Sequence, residues 1–207
     1  MKSARFLALT AALIGAGCSS STTTSNTPEG DGSAASSSGV DIAPPSESGS
    51  ASAATSGDTG NTVGKQAVEV TGAYVTGDGP RSIADGKGKI VILDFWGTYC
   101  GPCKASFPKY QALLDQYGKD VAIIAISEDE PDSAKDSDLK KFAKDRGAKF
   151  VILWDKDHSN AKKYDMDHKT MPSSFIIDKN GKIQHIHVGY KDDEDKKIAS
   201  EVKDLLK

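Results

Sequence analysis

Beyond residue 64 the chain alternates between continuous apolar runs and stretches whose apolar positions fall at helical spacing. Ile90-Val91-Ile92-Leu93-Asp94-Phe95 is apolar except for one acid, the pattern of a central strand covered on both faces. Phe107, Tyr110, Leu113, Leu114 and Tyr117 then recur three and four residues apart, predicting a helix with Gly118 as its C′ residue. A strand over Val121–Ile126, a helix around Leu139, Phe142 and Ala143 ending at Gly147, and a strand over Phe150–Trp154 follow. Ser174–Asp178 and Ile183–Val188 flank Lys179-Asn180-Gly181, a hairpin signal with Asn-Gly at its turn. The last helix has Asp192, Asp193 and Glu194 in its first turn and Ile198, Val202, Leu205 and Leu206 on one face. Residues 65–89, with Gly-rich turns around Tyr74-Val75, are expected to add one or two edge strands. The order predicts an α/β fold, a mixed sheet with helices on both faces.

Residues 1–64 read differently. Met1-Lys2-Ser3-Ala4-Arg5 is a basic start, Phe6–Ile14 an apolar run, and Gly15-Ala16-Gly17 a set of small residues ahead of Cys18. That order is an export signal, too short to span a membrane as a mature helix. Small residues directly before a cysteine resemble a bacterial lipobox, which would make residues 1–17 the signal and Cys18 the lipidated N-terminus. Gly15 departs from that pattern, since a bulkier aliphatic residue is commoner there; an ordinary cleaved signal would leave Cys18 a stray thiol. From Ser19 to Gly64 the chain is Ser, Thr, Gly, Ala and Pro with almost no large apolar side chain. Too little surface can be buried there to offset ordering entropy, so residues 18–64 are expected to be a disordered tether. Its random-coil reach is roughly 35–40 Å. Residues 65–207 are expected to fold as one domain.

Charge removes several function classes. The net charge is −3, and residues 65–207 hold 24 basic and 24 acidic residues, which leaves no basic footprint for nucleic acid. Three cysteines are too few for a disulfide scaffold or a four-cysteine zinc site.

The chemistry lies in Trp96-Gly97-Thr98-Tyr99-Cys100-Gly101-Pro102-Cys103, between the buried strand and the first helix. Two cysteines at this spacing close a disulfide across one turn, Pro102 stiffens the loop, and Gly101 lets a partner backbone come close. Cys100 falls at a helix N-terminus, where free N–H groups and the dipole favour a thiolate. Cys100 is therefore expected to attack a substrate disulfide, and Cys103, one turn inside, to resolve the mixed disulfide. A disulfide closing so short a loop constrains the unfolded chain little, which argues against a purely structural bond. Asp94 inside an apolar run is costly, and burial should raise its pKa.

This stretch resembles the thioredoxin family, and the likeness covers nearly all of residues 65–207. Asp94-Phe95-Trp96 followed by Cys-Gly-Pro-Cys at this spacing is highly specific; Phe95 and Trp96 match the strand-end aromatics, and Tyr99 stands where Trp is usual. Pro108 matches the proline that kinks the first helix, and Met171-Pro172 ahead of Ser173-Ser174-Phe175 matches the cis-proline segment. The resemblance implies a thioredoxin fold, with Trp96, Tyr99, Gly101, Pro102, Met171 and Pro172 against substrate. A cis bond at Pro172 would set the backbone of Met171 beside the cysteines, though an ordinary trans proline at a strand entry is the alternative. The resemblance also implies that Asp94, six positions before Cys100, takes a proton from the resolving cysteine; a locally hydrated strand-end Asp is the alternative. Signal, tether and Phe175–Ile183 together resemble the exported, membrane-attached TlpA/ResA-like branch, which often reduces specific disulfides outside the cytoplasm, including those of apocytochrome c. That branch can replace the buried acid, so Asp94 is nearer to general thioredoxins.

Other features carry less. His185 and His187 share one strand face opposite Ile186 and Val188 and are expected to be solvated rather than to bind metal. His158 and His168 lie in polar loops. Copper-delivering relatives use a longer cysteine spacing, and peroxiredoxins keep a single peroxidatic cysteine in a Pro/Thr-rich loop. Glu128-Asp129-Glu130 and Asp192–Asp195 are expected to be solvated charges, with Glu128 the acid to test for tuning of Cys100. The expectation is an exported, lipid-anchored, monomeric thiol–disulfide reductase of the cell envelope acting on protein disulfides. It implies no bound cofactor and a membrane thiol carrier as electron donor. An oxidase or isomerase on the same scaffold, and a non-catalytic partner-binding module, are the alternatives.

Overall fold

The computed structural model describes residues 58–166 and 170–207. The expected export signal, Cys18, the expected tether up to residue 57 and His168 lie outside the described residues.

Six strands form the main sheet in the order β3-β6-β5-β4-β7-β8. They are β3 (Ala73–Thr76), β4 (Ile90–Trp96), β5 (Val121–Ser127), β6 (Val151–Trp154), β7 (Ser173–Ile177) and β8 (Ile183–Val188). β4, β5 and β6 run parallel, joined by α1 (Gly101–Tyr117) and α2 (Asp136–Asp145). β7 pairs antiparallel with β4 and continues into β8 through the expected hairpin, whose Gly181 takes φ +84°. β3 closes the far edge, antiparallel to β6. α4 (Glu194–Leu205) ends the fold.

Strand alternation divides the core in two. Ile90, Ile92 and Trp96 of β4 face one side, where Phe107, Leu139, Phe142, Ile198 and Val202 of α1, α2 and α4 cover them. Val91, Leu93 and Phe95 face the other, with Val70, Ile83, Tyr164 and Phe175. Both faces of β4 are thus dry, as a continuous apolar run requires. The second face is covered by the segment around Val70 and Ile83 and by Tyr164, the C-cap of α3 (Ser159–Lys163), a short helix the periodicity does not predict. Asp155 starts that turn by accepting the N–H groups of Ser159, Asn160 and Ala161 at 3.1, 2.7 and 3.1 Å.

Two expectations need correction. Gly118 is not left-handed: its φ is −58°, and glycine is needed because a Cβ there would come 2.7 Å from the Leu114 carbonyl oxygen. The folded part also begins before residue 65. β1 (Thr59–Gly60) pairs in parallel with β2 (Gln66–Ala67), and the Gly64 N–H donates to the Ile183 carbonyl at 2.7 Å. The start of the outer strand β8 thereby gains backbone partners that an edge strand would otherwise lack.

Candidate active site

β4 delivers the chain into the Gly97–Cys100 turn, closed where the Cys100 N–H donates to the Gly97 carbonyl at 3.0 Å. Cys100 is the N-cap of α1, and its Sγ accepts the Cys103 N–H at 3.1 Å. Gly101 and Pro102 make up the first positions of the helix, where the missing proline N–H has no intrahelical partner to lose. No acid stands in that turn to offset the positive end of the helix. Cys100 and Cys103 are joined as a disulfide with Cα atoms 5.3 Å apart. The two sulfur-bearing residues differ in access: Cys100 keeps 6% of its surface exposed and Cys103 none. Only the first can be reached from outside, and the backbone donor at its sulfur favours the charged form. A Cβ on Gly101 would meet nothing within 4 Å, so the surface beside Cys100 is open.

The rim is built by Tyr99 and the β7 entry. Tyr99 is exposed, and its hydroxyl lies 3.6 Å from the Met171 sulfur. The Met171–Pro172 bond is cis, and both residues are buried beside this loop. Trp96, expected to touch substrate, is wholly buried; it packs on Phe107 and Phe142 with ring centroids 4.7 and 4.6 Å away. It supports the turn from below and presents no surface to a partner.

Asp94 is fully buried on the α1 side of β4. Its Oδ1 accepts the Tyr110 hydroxyl at 3.1 Å and the Ser174 hydroxyl at 2.8 Å, while Oδ2 has no hydrogen-bond partner among the described residues. Burial pushes its pKa up to about 7, against the lowering effect of the two hydroxyls. A group poised there can take or give a proton at neutral pH. Burial and the neighbouring Asp94 carboxyl also hold the Tyr110 phenol well above its ordinary value. Beside this trio lies a small cavity lined by Ser106, Pro172, His187 and Gly189.

Several side chains with structural or electrostatic roles escape the pattern reading. His187 is not solvated: α4 packs over it, and its ring nitrogens meet the carboxylates of Glu194 and, at 2.6 Å, Glu201. Val188, on the face opposite the two histidines, is exposed. Glu128 and Asp129 are buried rather than solvated. Burial pushes Glu128 up to about 8, partly offset by a 2.8 Å hydrogen bond with His158 Nδ1. Asp129 accepts both the backbone N–H and the hydroxyl of Thr98. Hydroxyls at Ser173 and Ser174 within an apolar strand are a usable signal, because buried donors demand partners. No spacing rule marks Asp129, whose partner is 31 residues away.

The family model described as the AhpC/TSA family matches residues 63–186. A thioredoxin-like protein, YneN, of Bacillus subtilis is 33% identical over 126 residues, 61% of this chain and 71% of its own. The thiol-disulfide oxidoreductase ResA of Bacillus thuringiensis is 41% identical over 102 residues, 49% of this chain; the match spans only 56% of that relative's length. Among solved structures, a putative thiol:disulfide interchange protein DsbE from Chlorobium tepidum superposes with a TM-score of 0.60 at 30% identity. That match covers 70% of this chain and 99% of the other.

Proposed function

Since the chain belongs to the AhpC/TSA family, with a thioredoxin fold and ResA-like and DsbE-like relatives, we propose that it is a thiol–disulfide oxidoreductase that reduces protein disulfides. The observation that carries this reading is the asymmetry of the pair: Cys100 accessible at a helix N-cap with a backbone donor on its sulfur, Cys103 buried one turn inside.

In the reduced protein the Cys100 thiolate attacks one sulfur of a substrate disulfide, forming a mixed disulfide and releasing the other substrate thiolate. The Cys103 thiol then loses its proton, with Asp94 as general base, and attacks Cys100 Sγ. The second substrate thiol leaves, and the Cys100–Cys103 disulfide remains. Two electrons pass to the substrate. The open surface at Gly101, with Tyr99 and the Met171–Pro172 segment on the rim, suits an extended peptide carrying the disulfide. A single peroxidatic cysteine is not the arrangement here, because Cys100 has a partner at bonding distance.

The Lys2–Cys18 pattern supports export with lipid attachment at Cys18, the following segment acting as a leash. A reductase outside the cytoplasm must be recharged, which calls for a membrane thiol carrier as electron donor. The resemblance of signal, tether and Phe175–Ile183 to the exported TlpA/ResA-like branch implies a specific disulfide client, with apocytochrome c as a candidate.

Redox titration of the full chain against a glutathione or dithiothreitol buffer tests the direction. A potential near the thioredoxin level of about −270 mV fits a reductase, whereas one near about −120 mV would make the protein an oxidant that introduces disulfides.

A further inference from the structure

Asp129 sits in the loop after β5, 2% exposed and held from several sides. Its Oδ1 and Oδ2 accept the Thr98 N–H at 3.1 and 3.0 Å. Oδ1 accepts the Thr98 hydroxyl at 2.5 Å, and Oδ2 the Ser127 hydroxyl at 2.8 Å. The Asp129 carbonyl accepts the Trp154 indole N–H at 2.7 Å, and the preceding Glu128 N–H donates to the Trp96 carbonyl at 2.8 Å. The group is therefore built into the frame around the active-site turn. Every one of these side-chain partners is a neutral donor, and none brings a compensating positive charge to the carboxylate.

Thr98 is two residues from Cys100, so this clamp fixes the turn that presents the nucleophile. The charge also reaches the turn: the Tyr99 phenol is raised first by burial and then by the carboxylates of Asp129, Glu128 and Glu130. Other ionisable groups near the turn are Lys104, in the first turn of α1 directly after Cys103, and Glu128 and Glu130, which His158 contacts through Nδ1 and Nε2 at 2.8 and 3.2 Å. Tyr99 lies on the turn itself, and Asp94 within β4 beneath it.

We infer that Asp129 is a positioning residue for Cys100. Its carboxylate anchors the active-site turn through Thr98 and opposes the helix N-terminus electrostatically, keeping the Cys100 thiol from ionising as readily as the N-cap alone would make it. The equilibrium is proton loss from Cys100 to solvent; a nearby carboxylate disfavours the thiolate, and the helix end favours it. This rests on Cys100 being the accessible nucleophile.

The test is the pH dependence of iodoacetamide alkylation of Cys100 in the reduced full chain, with the alkylated residue identified by peptide mapping. Asp129→Asn keeps the shape and removes the charge, and should lower the Cys100 pKa by about one unit. Thr98→Val removes the hydroxyl bond and keeps the charge, and should move the pKa by no more than a few tenths. Asp129→Glu should restore the wild-type value. An unchanged pKa in Asp129→Asn would reduce Asp129 to an anchor and overturn the inference. Should that variant not fold, the wild-type carboxyl ¹³C signal of Asp129 must shift at the pH where Cys100 ionises; a flat signal overturns it equally. Alkylation at Cys103 in preference to Cys100 would instead overturn the nucleophile assignment itself, so the two failures are distinguishable.

Discussion

The hydroxyl of Tyr110, on α1, donates to the carboxyl of Asp94, on β4, at 3.1 Å inside the dry interface between helix and sheet. This bond and the one from Ser174 make a carboxyl tolerable in a position that apolar neighbours would forbid. They do not make it comfortable, and the cost has a pH signature.

The folded-state pKa of Asp94 is raised to about 7 from 3.8. Between those values the folded state holds a proton that the unfolded state has released, so this group's contribution to stability is complete below pH 3.8 and declines as pH rises to about 7. Above that the loss is constant. Asp94→Asn should therefore match wild type near pH 4 and exceed it above pH 7, by up to about 4 kcal/mol. Urea unfolding of both proteins across this range checks it; parallel curves would contradict it.

Much of this architecture is legible in the chain. The run Ile90–Phe95, the helical spacing from Phe107 to Tyr117 and the Asn180-Gly181 turn each map onto β4, α1 and the β7–β8 hairpin, because period and turn chemistry are local properties. The nucleophile site is legible for the same reason, being contained in eight consecutive residues. Tertiary coverage is not local. His187 reads as one polar position of an alternating strand, and only the docking of α4 places Glu194 and Glu201 on its ring. Trp96 reads as a rim aromatic, and only the aromatic cluster with Phe107 and Phe142 shows that it is core. The backbone bonds that Gly64 and Lys65, between β1 and β2, make to Ile183 of β8 are not revealed by a composition of Ser, Thr and Gly.

His187 is held between two carboxylates in a nearly closed site, its side chain 3% exposed and those of Glu194 and Glu201 11% and 15%. Removing the imidazole leaves Glu194 without this partner in a poorly hydrated place, and leaves Glu201 only the longer contact to His185 at 3.5 Å. His187→Ala should cost about 3–5 kcal/mol of unfolding free energy at neutral pH. Glu194→Gln in the same background should recover part of it by removing one charge. A loss below about 1 kcal/mol would show that the acids find water instead.

Gly77 lies at the end of β3 with φ +90°, where a Cβ would fall 1.8 Å from the Phe150 carbonyl oxygen. Backbone atoms cannot rotate away as a side chain would. Gly77→Ala should therefore destabilise the protein well beyond the usual ~1 kcal/mol glycine-to-alanine effect, through displacement of β3 from β6. Amide exchange should show lost protection confined first to Ala73–Thr76 and Val151–Trp154. Unchanged protection would contradict this.

Phe107 is fully buried, with ring centroids 4.7, 5.1 and 5.2 Å from those of Trp96, Phe142 and Phe150. It ties the helix carrying both cysteines to the sheet. Phe107→Ala should cost roughly 3–5 kcal/mol in denaturant unfolding, since the cavity it leaves has walls on several elements that cannot all collapse. A cost near 1 kcal/mol would mean that the cluster repacks readily.

The most direct measurement is covalent trapping with a disulfide-bearing peptide or protein. Reduced Cys103→Ser full chain should accumulate a stable mixed disulfide through Cys100 Sγ, found by mass spectrometry of the non-reduced digest, and Cys100→Ser should accumulate little. Trapping through Cys103 in Cys100→Ser at an equal rate, or no adduct in Cys103→Ser, would contradict the division of roles between the accessible and the fully buried cysteine.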